Sequence, residues 1–147
     1  NHMLQLLSLV AMEPPHSLSP DTIRDEKLQV LQSLRPLDGA AVDQFVVRAQ
    51  YAGGDGSPGY RDEKNVRPDS RTETFVALQA FIDNWRWSGV PFFLRTGKRL
   101  PTRASAISVH LKGVPPILFN GDPGAPLHPN VLTIRIQPDE GFSFDIS

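Results

Sequence analysis

The chain has 147 residues, 39% hydrophobic and 21% charged, with 15 Lys+Arg against 16 Asp+Glu and a net charge of −1. That length suits about one domain able to bury its own core, and the balanced charge excludes a global field for nucleic acid or an anionic membrane, so any anion site must be local. Without cysteine there is no disulfide framework or thiolate chemistry, which fits a cytoplasmic location, and no apolar run approaches the ~18 residues of a membrane span.

Met3, Leu6, Leu7, Val10 and Ala11 recur at helical spacing, so residues 2–12 read as an amphipathic helix stopped by Pro14-Pro15. Ser19-Pro20-Asp21 supplies capping residues for a second helix over about 21–34, with Ile23, Leu28, Leu31 and Leu34 on one side. The texture then changes to strands. Phe45–Tyr51 reads as a strand, and 53–69, rich in Gly, Pro and charge, as an exposed loop. Thr72–Ile82 is a β-prone run with apolar residues on both faces, the pattern of a central covered strand. Phe92–Thr96 is another strand, and Ile107, Val109 and Leu111 alternate with Ser108, His110 and Lys112. Residues 113–130 form a second loop with five prolines; Leu132, Ile134 and Ile136 alternate again, and 142–146 is a last strand. Helices first and strands afterwards argue an α+β fold with a mainly antiparallel sheet and N-terminal helices packed against it.

Two phosphate-loop patterns fail on inspection. Gly54-Asp-Gly56-Ser-Pro-Gly59 has the spacing of a dinucleotide loop, but the residues after it lack the apolar period of the helix that would cradle a pyrophosphate. A flexible hairpin connection fits it better. In Thr96-Gly97-Lys98-Arg99, Arg99 stands where a P-loop needs Ser or Thr for magnesium, and Phe92 where it needs Gly. His16, His110 and His128 have no metal-ligand spacing and read as exposed residues, so no metal is expected.

The stretch Asp83–Arg103 stands out. It begins with Trp85 and Trp87, passes through an apolar run, and carries Arg95, Lys98, Arg99 and Arg103 around a Gly and a Pro. Cations on a stiffened turn suit a small phosphorylated molecule; a solvated turn after a buried strand fits equally well on composition.

Seven segments stand in order along the chain: Asn1-His-Met-Leu-Gln-Leu-Leu-Ser-Leu-Val-Ala-Met-Glu13, Arg24-Asp-Glu-Lys27, Pro68-Asp-Ser-Arg-Thr-Glu-Thr-Phe75, Asp83-Asn-Trp-Arg-Trp87, Gly89-Val-Pro-Phe92, Leu94-Arg-Thr-Gly-Lys98 and Ile134-Arg-Ile-Gln-Pro-Asp-Glu140. Together they resemble the glucose-6-phosphate dehydrogenase family. Members oxidise the C1 hydroxyl of glucose 6-phosphate to a lactone and pass hydride to NADP⁺, the first step of the pentose phosphate pathway. By this resemblance His2, in register with the helix that follows it, matches the general base. Lys98 and Arg103 match cationic contacts to the sugar phosphate, and Gln137 a contact to its hydroxyls. Arg95 coincides with a residue of a second, structural NADP⁺ site in some eukaryotic members, but the Trp-Arg-Trp pattern is closer to bacterial ones. The resemblance implies that 1–147 is part of a C-terminal substrate-binding and oligomerisation domain. It further implies that the N-terminal Rossmann domain holding most of the NADP is absent, and that the fragment alone is inactive. It also implies a cytoplasmic homodimer or homotetramer joined through the sheet, with no nucleic-acid or membrane partner. Two other readings stay open: a non-catalytic oligomerisation module, and a dehydrogenase of a different hexose phosphate.

Overall fold

His2–Ala11 forms helix α1, which buries Leu7, Ser8 and Ala11 along one side. Leu7 and Ala11 sit four apart and so share a face; Ser8 beside them is small enough for close packing, and its hydroxyl donates to the Gln5 carbonyl at 3.1 Å. Helix α2, Pro20–Gln32, starts at Ser19, whose extended backbone turns the side chain back to accept from the Thr22 N–H. Pro20 costs nothing at the first helical position, where its missing N–H has no partner to lose, and Asp21 in the first turn complements the helix dipole. Lys27 Nζ donates to Gln5 Oε1 at 3.0 Å and ties α2 to α1.

The computed structural model describes residues 2–113 and 128–146, so most of the proline-rich loop expected over 113–130 lies outside the described residues. The chain divides into two units, Asn1–Arg99 and Leu100–Ser147.

In the first unit the sequence expectation needs one correction. Gly39–Phe45 is a short helix, α3, and the strand expected over 45–51 is confined to β1, Val46–Ala49. Seven residues hold too few turns for a 3.6 period to emerge, so the signal of the β-branched pair Val46-Val47 dominated. Strands β2, Phe75–Phe81, and β3, Pro91–Gly97, complete an antiparallel sheet in the order β1-β2-β3. β2 is central, as its two-sided apolar pattern requires. The β2–β3 register pairs Leu78 with Leu94 and Ala80 with Phe92. Phe92 and Leu94 pack on a buried cluster of Leu7, Ala11, Val30 and Ile82, with Ile82 fully inaccessible. The other face of the sheet is thinly covered: Phe93, opposite Gln79, is 77% exposed.

The second unit is a meander of β4, Ser105–His110, β5, Val131–Gln137, and β6, Gly141–Asp145, in the order β4-β5-β6. Ile107 pairs with Ile134 and Ile134 with Phe142, while Val109 pairs with Leu132 and Leu132 with Phe144. These pairings gather six apolar side chains on one face. Ser108, Thr133 and Ser143 line up on the other. The fold is therefore α+β with antiparallel sheets, as expected, but with two three-stranded sheets rather than one.

Candidate functional site

His2 lies at the first position of α1 and is exposed. The helix is anchored at its other end. Trp87 Nε1 donates to the Ala11 carbonyl at 2.9 Å, and Arg86 Nη1 pairs with Glu13 at 2.7 Å. Trp87 also meets Phe92 edge to face, with centroids 5.1 Å apart, at the head of β3. Thus the Trp-Arg-Trp segment is a fastener for α1. Trp87 faces the core, whereas Trp85 is solvent-exposed. Below it, Arg35 makes a two-point pair with Asp83 (2.7 and 3.0 Å), which holds the Asp83 carboxyl below the ordinary carboxylate range.

Lys98 follows the last residue of β3 and is exposed. Its N–H donates to the Thr74 carbonyl at 2.7 Å, so its backbone is fixed to the entry of β2. Thr74 is itself buried, donates its N–H to the Ala49 carbonyl at 2.9 Å, and accepts from the Tyr51 N–H through Oγ1 at 2.9 Å. The cations that look like one cluster in sequence have different fates. Arg99 has φ 53, in the left-handed region, and its guanidinium pairs with Glu63 and lies 4.9 Å from the centroid of the Tyr51 ring. Arg95 sits on β3 opposite Ala77 and is exposed. Lys98 is left as a charge on a fixed backbone, in no ion pair among the described residues.

In the second unit, Ser105 pairs with Gln137, so Arg103, two residues before Ser105, belongs to the same sheet end as Gln137. Both are exposed. Each unit thus carries two of the four candidate residues: His2 and Lys98 in the first, Arg103 and Gln137 in the second.

The Gly54–Gly59 segment is no dinucleotide cradle. Gly54 and Ser57 exchange backbone hydrogen bonds at 2.9 and 3.1 Å, and the chain continues into one turn of 3-10 helix, Tyr60–Asp62. The loop is also less free than a flexible connection: Tyr60 returns its N–H to the Tyr51 carbonyl at 3.1 Å, and the two tyrosine rings meet edge to face. No described group of His, Asp and Glu could hold a metal ion. An open depression of about 700 Å³ beside β1 holds Arg48, Arg61 and Arg71, but also Asp43 and Glu73, and neither His2 nor Lys98 lines it. Its mixed charge gives an anion little net attraction.

Sequence reasoning missed Glu63, Tyr51 and Thr74. Partial burial, then the bond to Glu63 (3.1 Å), pushes the Tyr51 phenol above its ordinary value, so it remains a donor. The only sequence signal was an aromatic residue at a strand exit followed by a loop that returns.

Comparison with known proteins bears on these placements. The description "Glucose-6-phosphate dehydrogenase, C-terminal domain" matches residues 1–147. The chain is 50% identical over 147 residues to glucose-6-phosphate 1-dehydrogenase of Bacillus subtilis (strain 168), covering 97% of this chain and 30% of that protein. It is 51% identical over 150 residues to the Dickeya dadantii (strain 3937) enzyme of the same name, covering 99% and 30%. A crystal structure of glucose-6-phosphate 1-dehydrogenase from Mycobacterium avium superposes with a TM-score of 0.82 at 43% identity, covering 98% of this chain and 30% of that one. A glucose-6-phosphate dehydrogenase in complex with its substrate glucose-6-phosphate gives 0.83 at 36% identity, covering 98% and 28%. The chain therefore spans about 30% of the length of the relatives it matches.

Proposed function

Because the chain belongs to the glucose-6-phosphate dehydrogenase family through its C-terminal domain, we propose that it supplies the base and part of the phosphate site for oxidation of glucose 6-phosphate to its lactone. In this reading the His2 imidazole accepts the proton of the C1 hydroxyl, and Lys98 and Arg103 bind the phosphate. Gln137 bonds the sugar hydroxyls and holds the ring against the base. Removing the hydroxyl proton puts charge on the oxygen and makes C1 a better hydride donor, so a positioned base contributes about 10²–10⁴ in rate.

The observation that carries the reading is the mounting of His2 and Lys98 on one core. α1 is fastened by its C-terminal end at Trp87, beside the head of β3, and Leu7 shares its cluster with Phe92 and Leu94. That packing supports a course of α1 along β3, with the His2 end toward the strand terminus that Lys98 extends.

The two-electron acceptor of this reaction class is a nicotinamide cofactor, read here as NADP⁺ from the family. The described residues contain no Gly-rich turn leading into a helix that could cradle its pyrophosphate. We therefore place the cofactor's main site outside these residues and expect the 147-residue polypeptide alone to give no turnover. Pairing of the parent protein through the sheet faces, and a cytoplasmic location, belong to the same proposal. The exposed apolar side chains Phe93, Phe142 and Phe144 support the pairing; a sheet face that serves pairing alone would appear as a tight dimer with no affinity for sugar phosphates.

Lys98→Ala in the full-length protein tests the assignment. Loss of one charge-assisted hydrogen bond, worth about 1.5–3 kcal/mol, should raise KM for glucose 6-phosphate roughly 10- to 150-fold and leave KM for the nicotinamide cofactor unchanged. An unchanged sugar-phosphate KM removes Lys98 from the site. A panel of hexose phosphates on the same protein decides which sugar it prefers.

A further inference from the structure

We propose that Glu63, Arg99 and Tyr51 form a clamp whose role is to position Lys98, an inference that rests on the phosphate-binding reading of Lys98 given above. Lys98 is held from both sides. Its N–H is bonded to the Thr74 carbonyl at 2.7 Å, and the residue after it, Arg99, has φ 53. A β-carbon makes that left-handed conformation unfavourable, so an arginine keeps it only where its surroundings compensate. Here the compensation is visible. The Arg99 guanidinium pairs with the half-buried Glu63 and stacks over Tyr51, and the Tyr51 hydroxyl donates to the same carboxylate at 3.1 Å.

Three features make this more than a surface ion pair. The carboxylate serves two donors at once, a guanidinium and a phenol. Tyr51 is fixed independently, through its N–H to Thr74 Oγ1 and its carbonyl to the Tyr60 N–H. Thr74 is therefore the common anchor for the Tyr51 side of the clamp and for Lys98 itself. Finally, the Arg99 charge is spent on Glu63, so of two neighbouring cations only Lys98 remains available to an anion. Without the clamp, residue 99 relaxes toward negative φ, the peptide between 98 and 99 rotates, and the lysine samples a wider cone.

The experiment uses the full-length protein carrying Glu63→Gln, Arg99→Ala, Arg99→Lys and Lys98→Ala, and the Arg99→Ala/Lys98→Ala double variant. Each is first checked for an unchanged thermal midpoint. Glu63→Gln is the discriminating variant. A positioning clamp requires it to raise KM for glucose 6-phosphate, by about three- to tenfold, with kcat and cofactor KM nearly unchanged. If Arg99 were instead a direct phosphate ligand, freeing it from Glu63 would lower that KM. Arg99→Ala should raise KM similarly, Arg99→Lys should recover part of the loss, and Arg99→Ala should add nothing in the Lys98→Ala background. Additive effects, or a lowered KM in Glu63→Gln, overturn the clamp while leaving Lys98 in the site. No effect of Lys98→Ala overturns both. If Arg99→Ala lowers the thermal midpoint, Glu63→Gln and Arg99→Lys decide the question without it.

Discussion

Residues 1–99 bury Leu7, Ala11, Val30 and Ile82 beneath two helices, whereas residues 100–147 leave Phe142 at 78% and Phe144 at 49% exposure on a three-stranded sheet with no helix of its own among the described residues. Both units carry candidate substrate contacts, but they hold them by different means. In the first, His2 and Lys98 extend from elements fixed by a core, an indole hydrogen bond and a buried threonine. In the second, Gln137 is held by its pairing with Ser105, and Arg103 lies two residues before that pair. A three-stranded sheet whose apolar face leaves Phe142 and Phe144 exposed is close to the minimum for independent stability. The contrast teaches that a reactive group can be exposed while its mounting is buried, and that the two can be disturbed separately.

The largest effect expected is on rate. His2→Ala in the full-length protein should lower kcat by about 10²–10⁴ and leave the thermal midpoint in place, because the imidazole is exposed and contributes no core packing. Steady-state kinetics with parallel melts checks both; a normal kcat would remove His2 as the base. Next comes the core itself. Ile82→Ala in the 147-residue polypeptide should cost about 2–5 kcal/mol of unfolding free energy, against under about 0.5 kcal/mol for Phe142→Ala, the ordinary range for an exposed position. Equal losses in denaturant titrations would break the comparison between the units.

The smallest effect is electrostatic. Arg35 holds the Asp83 carboxyl below its ordinary value, so the pair stabilises the folded state above the unfolded carboxyl's pKa of about 4 and loses that contribution as pH falls through the depressed folded value. Asp83→Asn should therefore lower the thermal midpoint slightly at pH 7, with the gap to the parent chain closing below about pH 4. A gap independent of pH would assign the loss to packing rather than charge.

What could be read from the sequence follows from the range of the interaction involved. α1 and α2 were legible because an apolar stripe and the Ser19-Pro20-Asp21 cap are local signals. β2 showed as central because both its faces are apolar. α3 was hidden by its shortness, and the division into two sheets because strand period carries no information about which strands pair. The site divides in the same way. His2, Lys98, Arg103 and Gln137 came from motif resemblance, and none of their distances to one another is implied by spacing. Glu63 was illegible as a functional residue because its pairing with Arg99 joins positions 36 apart, with β2 and β3 between them. Only folding brings them together.

The most direct measurement is a crystal structure of the full-length protein with glucose 6-phosphate bound. The expected result has a ring nitrogen of His2 about 2.6–3.2 Å from the C1 hydroxyl oxygen and Lys98 Nζ about 2.7–2.9 Å from a phosphate oxygen of the same sugar. A sugar phosphate seated in an intact fold with neither group in contact would contradict the account.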